Sequence, residues 1–310
     1  MTMTLTRPPE VPKAKRRRRT SARAPLLLVL AGALVLLYPV AATQFNNVKQ
    51  HQFAVEYNQQ VATTDTSELA ADLERAEKYN AGLEGIPILD PWLTQVSGTP
   101  KSGPYADYLT ELARFDAMGT VRVPSADIDL PIYHGTTDDV LARGVGHLYG
   151  TSLPVGGTGT HSVLTSHTGM SSATLFDHLT QVKLGDLIYV DVYGRGLTYQ
   201  VDQIKVVLPN QIDDLIAVPG QDLITLFTCT PYAVNTHRLL VRAHRVADQP
   251  TAGVAAQATT DDLLTFEPWM YGLMATAVVG LTLVAVLWRR SRKRDEAAKQ
   301  PPRRAESDRS

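Results

Sequence analysis

Two charge-free apolar runs bracket this chain and limit where a folded domain can sit. The first lies between Arg23 and Lys49, with its core at Leu26 to Leu37; the second runs from Trp269 to Trp288. An α-helix rises about 1.5 Å per residue, so about twenty apolar residues cover a hydrocarbon core of roughly 30 Å. The second run is read as a membrane span, with Trp269, Tyr271 and Trp288 near its ends, where interfacial aromatics settle. The first is either a signal peptide, with Val40-Ala41-Ala42 offering small residues for cleavage, or a retained signal anchor with Pro39 near its outer end. Lys13, Lys15, Arg16 to Arg19 and Arg23 precede the first run, and Arg289, Arg290, Arg292, Lys293 and Arg294 follow the second. Basic residues stay inside, so both tails are expected in the cytoplasm, unless the signal is cleaved, and the part between them outside.

The net charge of −1 hides an asymmetry: residues 1–24 carry +7 and residues 289–310 carry +5, which leaves −13 for the rest. An acidic outer domain is a poor nucleic-acid binder, so no nucleic-acid partner is expected. The single cysteine rules out an internal disulfide scaffold. Stability must come from a hydrophobic core, and the segment between the runs is long enough to bury one.

Within that segment residues 44–86 read helical. Gln44 to Val61 is polar and weakly periodic, and Asp65 with Glu68 resembles a capping box opening a second helix that Gly82, Gly85 and Pro87 end. A Pro- and Gly-punctuated loop covers about 86–104, and Tyr105 to Phe115 can form one more helix. From Gly119 onward, short β-rich stretches alternate with turns: 121–123, 130–133, 162–166, 187–192, 197–201, 204–208, 223–228 and 239–243. That spacing argues for a closed or nearly closed β-barrel. Gly144-Val-Gly146 and Gly156-Gly157-Thr-Gly159 read as turns; they lack the spacing of a nucleotide-binding loop, and no cofactor or metal is expected. The organisation is thus a basic tail (1–24), a signal or anchor (25–43), a helical region with its loop (44–118), a barrel (119–248), a linker (249–268), a span (269–288) and a second basic tail (289–310).

The chemistry centres on Cys229. A lone cysteine is commonly a packed strand residue, and only neighbours that lower its pKa or take its proton make it a nucleophile. The run 223–229 alternates, so Leu223, Thr225, Phe227 and Cys229 share one face, and Arg238 opens the next strand after a loop holding Pro231 and Asn235. If these strands pair, Cys229 and Arg238 face each other about 4.8 Å apart, and a permanently charged guanidinium sits beside whatever the sulfur attacks. A histidine would complete proton transfer. His51, in the polar helix, reads as solvated; His178 reads as part of a helical turn and His244 as part of the last strand. His134, His147 and His161 remain, with His167, at a strand end before Gly169, and His237 as the better placed candidates.

Thr225-Leu226-Phe227-Thr228-Cys229 resembles the TLxTC signature of sortases. Ser166-His167 with Gly169, and Arg238 nine residues after the cysteine, are similar to the other two members of the sortase triad. The likeness extends from about Asp90 to Arg245 through Pro131-Ile-Tyr-His-Gly135 and the block Gly144 to Gly157. It is most like class C, the pilus-building sortases, because a C-terminal span follows the barrel and Asp90-Pro91-Trp92 resembles that class's lid. Read by itself, Asp90-Pro91-Trp92 would be a turn with a ring packed on the barrel.

The resemblance implies a mainly β protein, an eight-stranded sortase-type barrel with N-terminal helices between two membrane segments. It implies a cysteine transpeptidase with Cys229 as nucleophile, His167 as proton carrier and Arg238 at the oxyanion, and Thr228 as a substrate-binding candidate. The lid residues Asp90, Pro91 and Trp92 would restrain access to the thiol. LPxTG-bearing pilin or surface-protein precursors would be cleaved between Thr and Gly, with a pilin lysine as acceptor. Calcium, which activates some sortases, has no evident site. Ala233 departs from the glycine many relatives carry after the cysteine. Two other readings stand beside this one: a sortase with a peptidoglycan amine as acceptor, and a non-catalytic, membrane-tethered adaptor using the helices and barrel.

Overall fold

The computed structural model describes residues 23–83, 103–211, 213–247 and 266–297, and divides into two units, Met1–Tyr38 with Glu267–Ser310, and Pro39–Phe266. In chain order the elements are α1 (Arg23–Thr63), α2 (Thr66–Ala81), α3 (Pro104–Tyr108), β1 (Gly119–Val123), β2 (Ile128–His134), α4 (Asp138–Arg143), β3 (Val145–His147), β4 (Thr160–Thr165), β5 (Leu187–Val192), β6 (Arg195–Val207), β7 (Asp222–Thr230), β8 (His237–Arg245) and α5 (Pro268–Ala297). The first unit holds the apolar start of α1 and α5. Residues Leu27–Thr63 of α1 and Pro268–Lys293 of α5 are long and apolar enough to cross a membrane.

The second unit is a closed barrel in the order β1-β2-β3-β4-β7-β8-β6-β5, the mainly β architecture that the alternating stretches predicted. Two of its pairs are parallel, β2 with β3 and β4 with β7; the others are antiparallel. A parallel pair needs a crossover connection, which α4 supplies for the first and the β5–β6 excursion for the second. Strand alternation divides the apolar residues by face. Leu164 of β4, Ile224 and Leu226 of β7, and Leu239, Val241 and Ala243 of β8 join the main core with Val121, Ile132 and Val190. Val163, Phe227 and Leu240 face the other way and form a second cluster with Leu148 and Leu215.

Several sequence expectations change in detail. The helix expected from Gln44 begins earlier: α1 is continuous from Arg23 and carries Pro39 inside it. Its buried stripe of Gln50, Ala54, Tyr57 and Val61 is partly polar, which explains the weak periodicity. Asp65 does cap α2, accepting from the Ser67 N–H at 2.7 Å, but the Glu68 carboxylate pairs with Arg114 at 2.6 Å. The helix expected at Tyr105 to Phe115 stops after Tyr108; Leu112, with φ of 49°, cannot continue it. The stretches 197–201 and 204–208 are one strand, β6, whose register shifts between Val201 and Gln203. Gly144-Val-Gly146, read as a turn, leads into and forms part of β3. The glycines are needed for close approach, because a Cβ at Gly144 would lie 2.8 Å from the Pro131 carbonyl oxygen and one at Gly146 would overlap that of Gly135. Asp90, Pro91 and Trp92 lie outside the described residues.

The helices are fastened to the barrel by buried polar contacts. The Tyr57 hydroxyl donates to Met118 O at 3.2 Å and accepts from the Tyr193 N–H at 2.7 Å. Asn80 makes a reciprocal amide pair with Leu153, at 3.0 and 2.7 Å. The fully buried Tyr108 accepts from the Gly135 N–H at 2.8 Å and meets His147 Nδ1 at 3.0 Å, while His147 Nε2 lies 2.8 Å from Ser152 O. The ring N–H therefore belongs on Nε2, and the tyrosine hydroxyl donates to Nδ1. Burial pushes the His147 pKa down to about 4, so this network holds a neutral ring at neutral pH. Tyr108→Phe strands both the Gly135 N–H and His147 Nδ1. It should cost about 1–3 kcal/mol of stability, read as a lower chemical-unfolding midpoint of the full chain in detergent.

Candidate active site

Cys229 and Arg238 are direct partners in the antiparallel register of β7 and β8. Both follow the alternation of Phe227 and Leu240, so both emerge on the outer face of the barrel, beside the second apolar cluster. They are nearly buried, at 7% and 5% exposure, which shields a reaction there from bulk water. Arg238 Nη1 donates to Asn235 O at 3.2 Å and to His237 O at 3.1 Å, so carbonyls of its own loop fix the guanidinium. That loop holds Ala233 and Asn235 with φ of 60° each. The left-handed conformation supplies a physical reason for glycine at 233, since alanine adopts it only with strain.

The segment carrying His167 is brought alongside by the parallel β4–β7 ladder. Thr165 pairs with Phe227, its hydroxyl donates to Phe227 O at 2.9 Å, and the Thr228 hydroxyl donates to Ser166 O at 2.7 Å. Continuing that register carries His167 to the level of Cys229. Beyond it the two loops meet: a Cβ on Gly169 would lie 3.4 Å from Ala233 N. Burial lowers the His167 pKa, and the Asp138 carboxylate at the start of α4 raises it in part. The ring is neutral at neutral pH and can accept a proton.

The other histidines stand elsewhere, except His237, which lies next to Arg238 and opposite Thr230. His134 is held 2.6 Å from Glu111 O, His147 lies in the Tyr108 network, and His244 is 3.5 Å from Asp202. His51, read as solvated, sits 3.5 Å from Asp129 with a side chain only 17% exposed. His178 falls in a 3-10 turn at Asp177–Gln181, and His237 opens β8 with Nδ1 2.9 Å from the Thr236 hydroxyl. Thr228, a substrate-binding candidate by resemblance, is 1% exposed and spends its hydroxyl on Ser166 O. It ties β7 to the His167 segment instead of facing the cleft, because it alternates away from Cys229.

Two residues at the site, Asp138 and Asp177, escaped the sequence reading, and His161, one of the candidate histidines, has a structural place. Asp138 acts on His167 from α4. Asp177 accepts from the Thr168 hydroxyl at 3.0 Å and the Gly169 N–H at 2.7 Å, which shapes the turn after His167. His161 lies between Ile216 O, 3.1 Å from Nδ1, and the Thr225 hydroxyl, 2.8 Å from Nε2. It thereby fastens the β6–β7 connection next to Leu215, which packs on the Phe227 cluster. His161→Ala should loosen this connection. Limited proteolysis of the full chain should cut faster within residues 208–221, with the alkylation rate of Cys229 nearly unchanged.

The sortase domain family model matches residues 121–246. Sortase C-1 from Actinomyces oris is 53% identical over 59% of this chain and 99% of its own, with a TM-score of 0.57. Sortase C from Streptococcus pneumoniae, described with respect to catalysis and pilin substrate specificity, is 40% identical over 64% of this chain and 97% of its own, also at 0.57. Sortase A from Streptococcus agalactiae is 30% identical over 43% of this chain and 55% of its own length. The chain spans little more than half the length of the curated relatives it matches.

Proposed function

Because the chain belongs to the sortase family, we propose that it is a membrane-anchored cysteine transpeptidase that joins pilin subunits, with Cys229, His167 and Arg238 as its catalytic residues. The observation that carries this reading is the pairing of Cys229 with Arg238 on an outer barrel face to which β4 delivers the His167 segment. The pilus class rests on the resemblance to sortase C proteins, one of them described with pilin substrates.

In the proposed reaction the neutral His167 ring takes the Cys229 proton as sulfur attacks the Thr carbonyl of an LPxTG-type sorting signal. Arg238, already held by two carbonyls, stabilises the tetrahedral oxyanion. The C–N bond to Gly breaks, the amine leaves with the proton from His167, and a thioester remains. A lysine amine of another pilin attacks the thioester and gives its proton to His167. The isopeptide bond forms as the Cys229 sulfur leaves and recovers its proton. Two apolar helices would hold enzyme and membrane-bound precursors at one surface, with the barrel outside and both tails in the cytoplasm, unless the first run is cleaved, which raises their effective concentration. The Asp90-Pro91-Trp92 segment serves in this reading as a lid over the thiol.

Incubating the full chain in detergent with an LPxTG peptide and a pilin domain, with product analysis by mass spectrometry, tests this. We expect an isopeptide-linked product that is absent with Cys229→Ala and forms faster with Trp92→Ala. Hydrolysis alone would move the acceptor to the cell wall, the second reading. No adduct on Cys229 from either form would sink the enzyme reading. A second expectation concerns pH. As pH falls through the His167 pKa, the proton-accepting form is lost, and kcat/KM for peptide cleavage should fall with it. Burial sets that acid limb below the usual histidine value of about 6.5. Asp138→Asn removes the charge that raises this pKa, so the limb should move to still lower pH.

A further inference from the structure

The loop from Thr168 to Leu175, which directly follows His167, is gripped by a helix far away in sequence. Thr43 of α1 donates its hydroxyl to Ser171 O at 3.2 Å, and Asn46 Nδ2 donates to Ser172 O at 2.7 Å. Asn47 binds Thr174 twice: its Nδ2 donates to the Thr174 hydroxyl at 2.8 Å, and its Oδ1 accepts from the Thr174 N–H at 3.1 Å. These three side chains occupy positions i, i+3 and i+4, one face of a single turn. The same face continues as Gln50, Ala54, Tyr57 and Val61, and the two Tyr57 bonds lock its far end to the barrel.

The loop has its own anchors at its base. The Phe176 N–H donates to His167 O at 3.0 Å, Asp177 holds Thr168 and Gly169, and Ala173, Leu175 and Phe176 are buried in the main core. The carbonyls of Ser171 and Ser172, further out on the loop, are taken by α1. Without the α1 bonds the outer part of the loop, from Met170 to Thr174, is less constrained, and motion passed back through Thr168 and Gly169 would change the orientation of the His167 ring.

We propose that Asn47 is a positioning residue for catalysis: by its paired hydrogen bonds to Thr174, supported by Thr43 and Asn46, it holds the 168–175 loop and thereby the orientation of His167. The proposal rests on the reading of His167 as proton carrier. It also gives the polar turn of α1 an internal task, so these side chains are not an open surface for a docked partner.

The test is steady-state cleavage of an LPxTG peptide by the full chain in detergent, with thermal unfolding followed in parallel. Asn47→Ala should lower kcat on the order of tenfold with KM little changed. Thr174→Val, which removes one of the two bonds, should give a smaller loss, and Thr174→Ser, which keeps the hydroxyl, should retain wild-type kcat. A kcat equal to wild type in both Asn47→Ala and Thr174→Val, or a loss carried entirely by KM, overturns the inference. If Asn47→Ala lowers the unfolding temperature, Thr174→Val against Thr174→Ser decides at intact fold. An inactive wild-type chain would instead defeat the functional reading on which the inference stands.

Discussion

The parallel ladder between β4 and β7 is the constraint from which the candidate site follows. Six residue pairs, Thr160 with Asp222 through Thr165 with Phe227, bring together two strands far apart in the chain. Both strands then run on in the same direction past the end of the pairing. That shared direction puts the residues beyond it, His167 on one side and Cys229 on the other, at one edge of the barrel. An antiparallel pair would have sent them to opposite ends. The two threonine hydroxyls that bond across the last pairs keep this edge from fraying, as each is buried and has its acceptor in the neighbouring strand.

Strand alternation then decides what surrounds the sulfur. Inward residues fill the main core, and Phe227, Leu240 and Val163 turn outward under Leu215. Cys229 and Arg238 belong to the outward set, so the thiol and the guanidinium end on a partly apolar, largely dry surface. In such a setting a charge acts over short range with little screening. A guanidinium already bonded to two loop carbonyls needs little reorganisation when negative charge appears next to it.

The barrel was legible because its strands are mostly short β-rich stretches set apart by turns, and Cys229 with Arg238 because they lie at the facing ends of two adjacent alternating strands. β3 was not legible: three residues, one a glycine after another glycine, look like a turn until the carbonyls of Pro131 and Gly135 are seen pressing on them. β6 was split in two because its bulge breaks the period of two. The stripe of α1 was faint for another reason. Its barrel-facing residues begin as Thr43, Asn46 and Asn47, which bind a loop through hydrogen bonds, and no hydropathy pattern registers that. Asp138 and Asp177 likewise act through tertiary placement, with nothing in their local sequence to mark them.

The electrostatics of the histidines follow from the same placement. His134, His147, His161 and His167 all have pKa values lowered mainly by burial, so burial alone does not single out a proton carrier. What separates them is where each stands in the barrel. Both nitrogens of His147 and of His161 have hydrogen-bond partners that tie loops and strands together. His134 is bonded to Glu111 O. His167 lies just past the β4–β7 ladder, level with Cys229, and Asp138 opposes part of its burial effect as Asp202 and Asp214 do for His161. In the proposed reaction that place beside Cys229 is what suits His167 to pass a proton, while His147 and His161 tie loops and strands together.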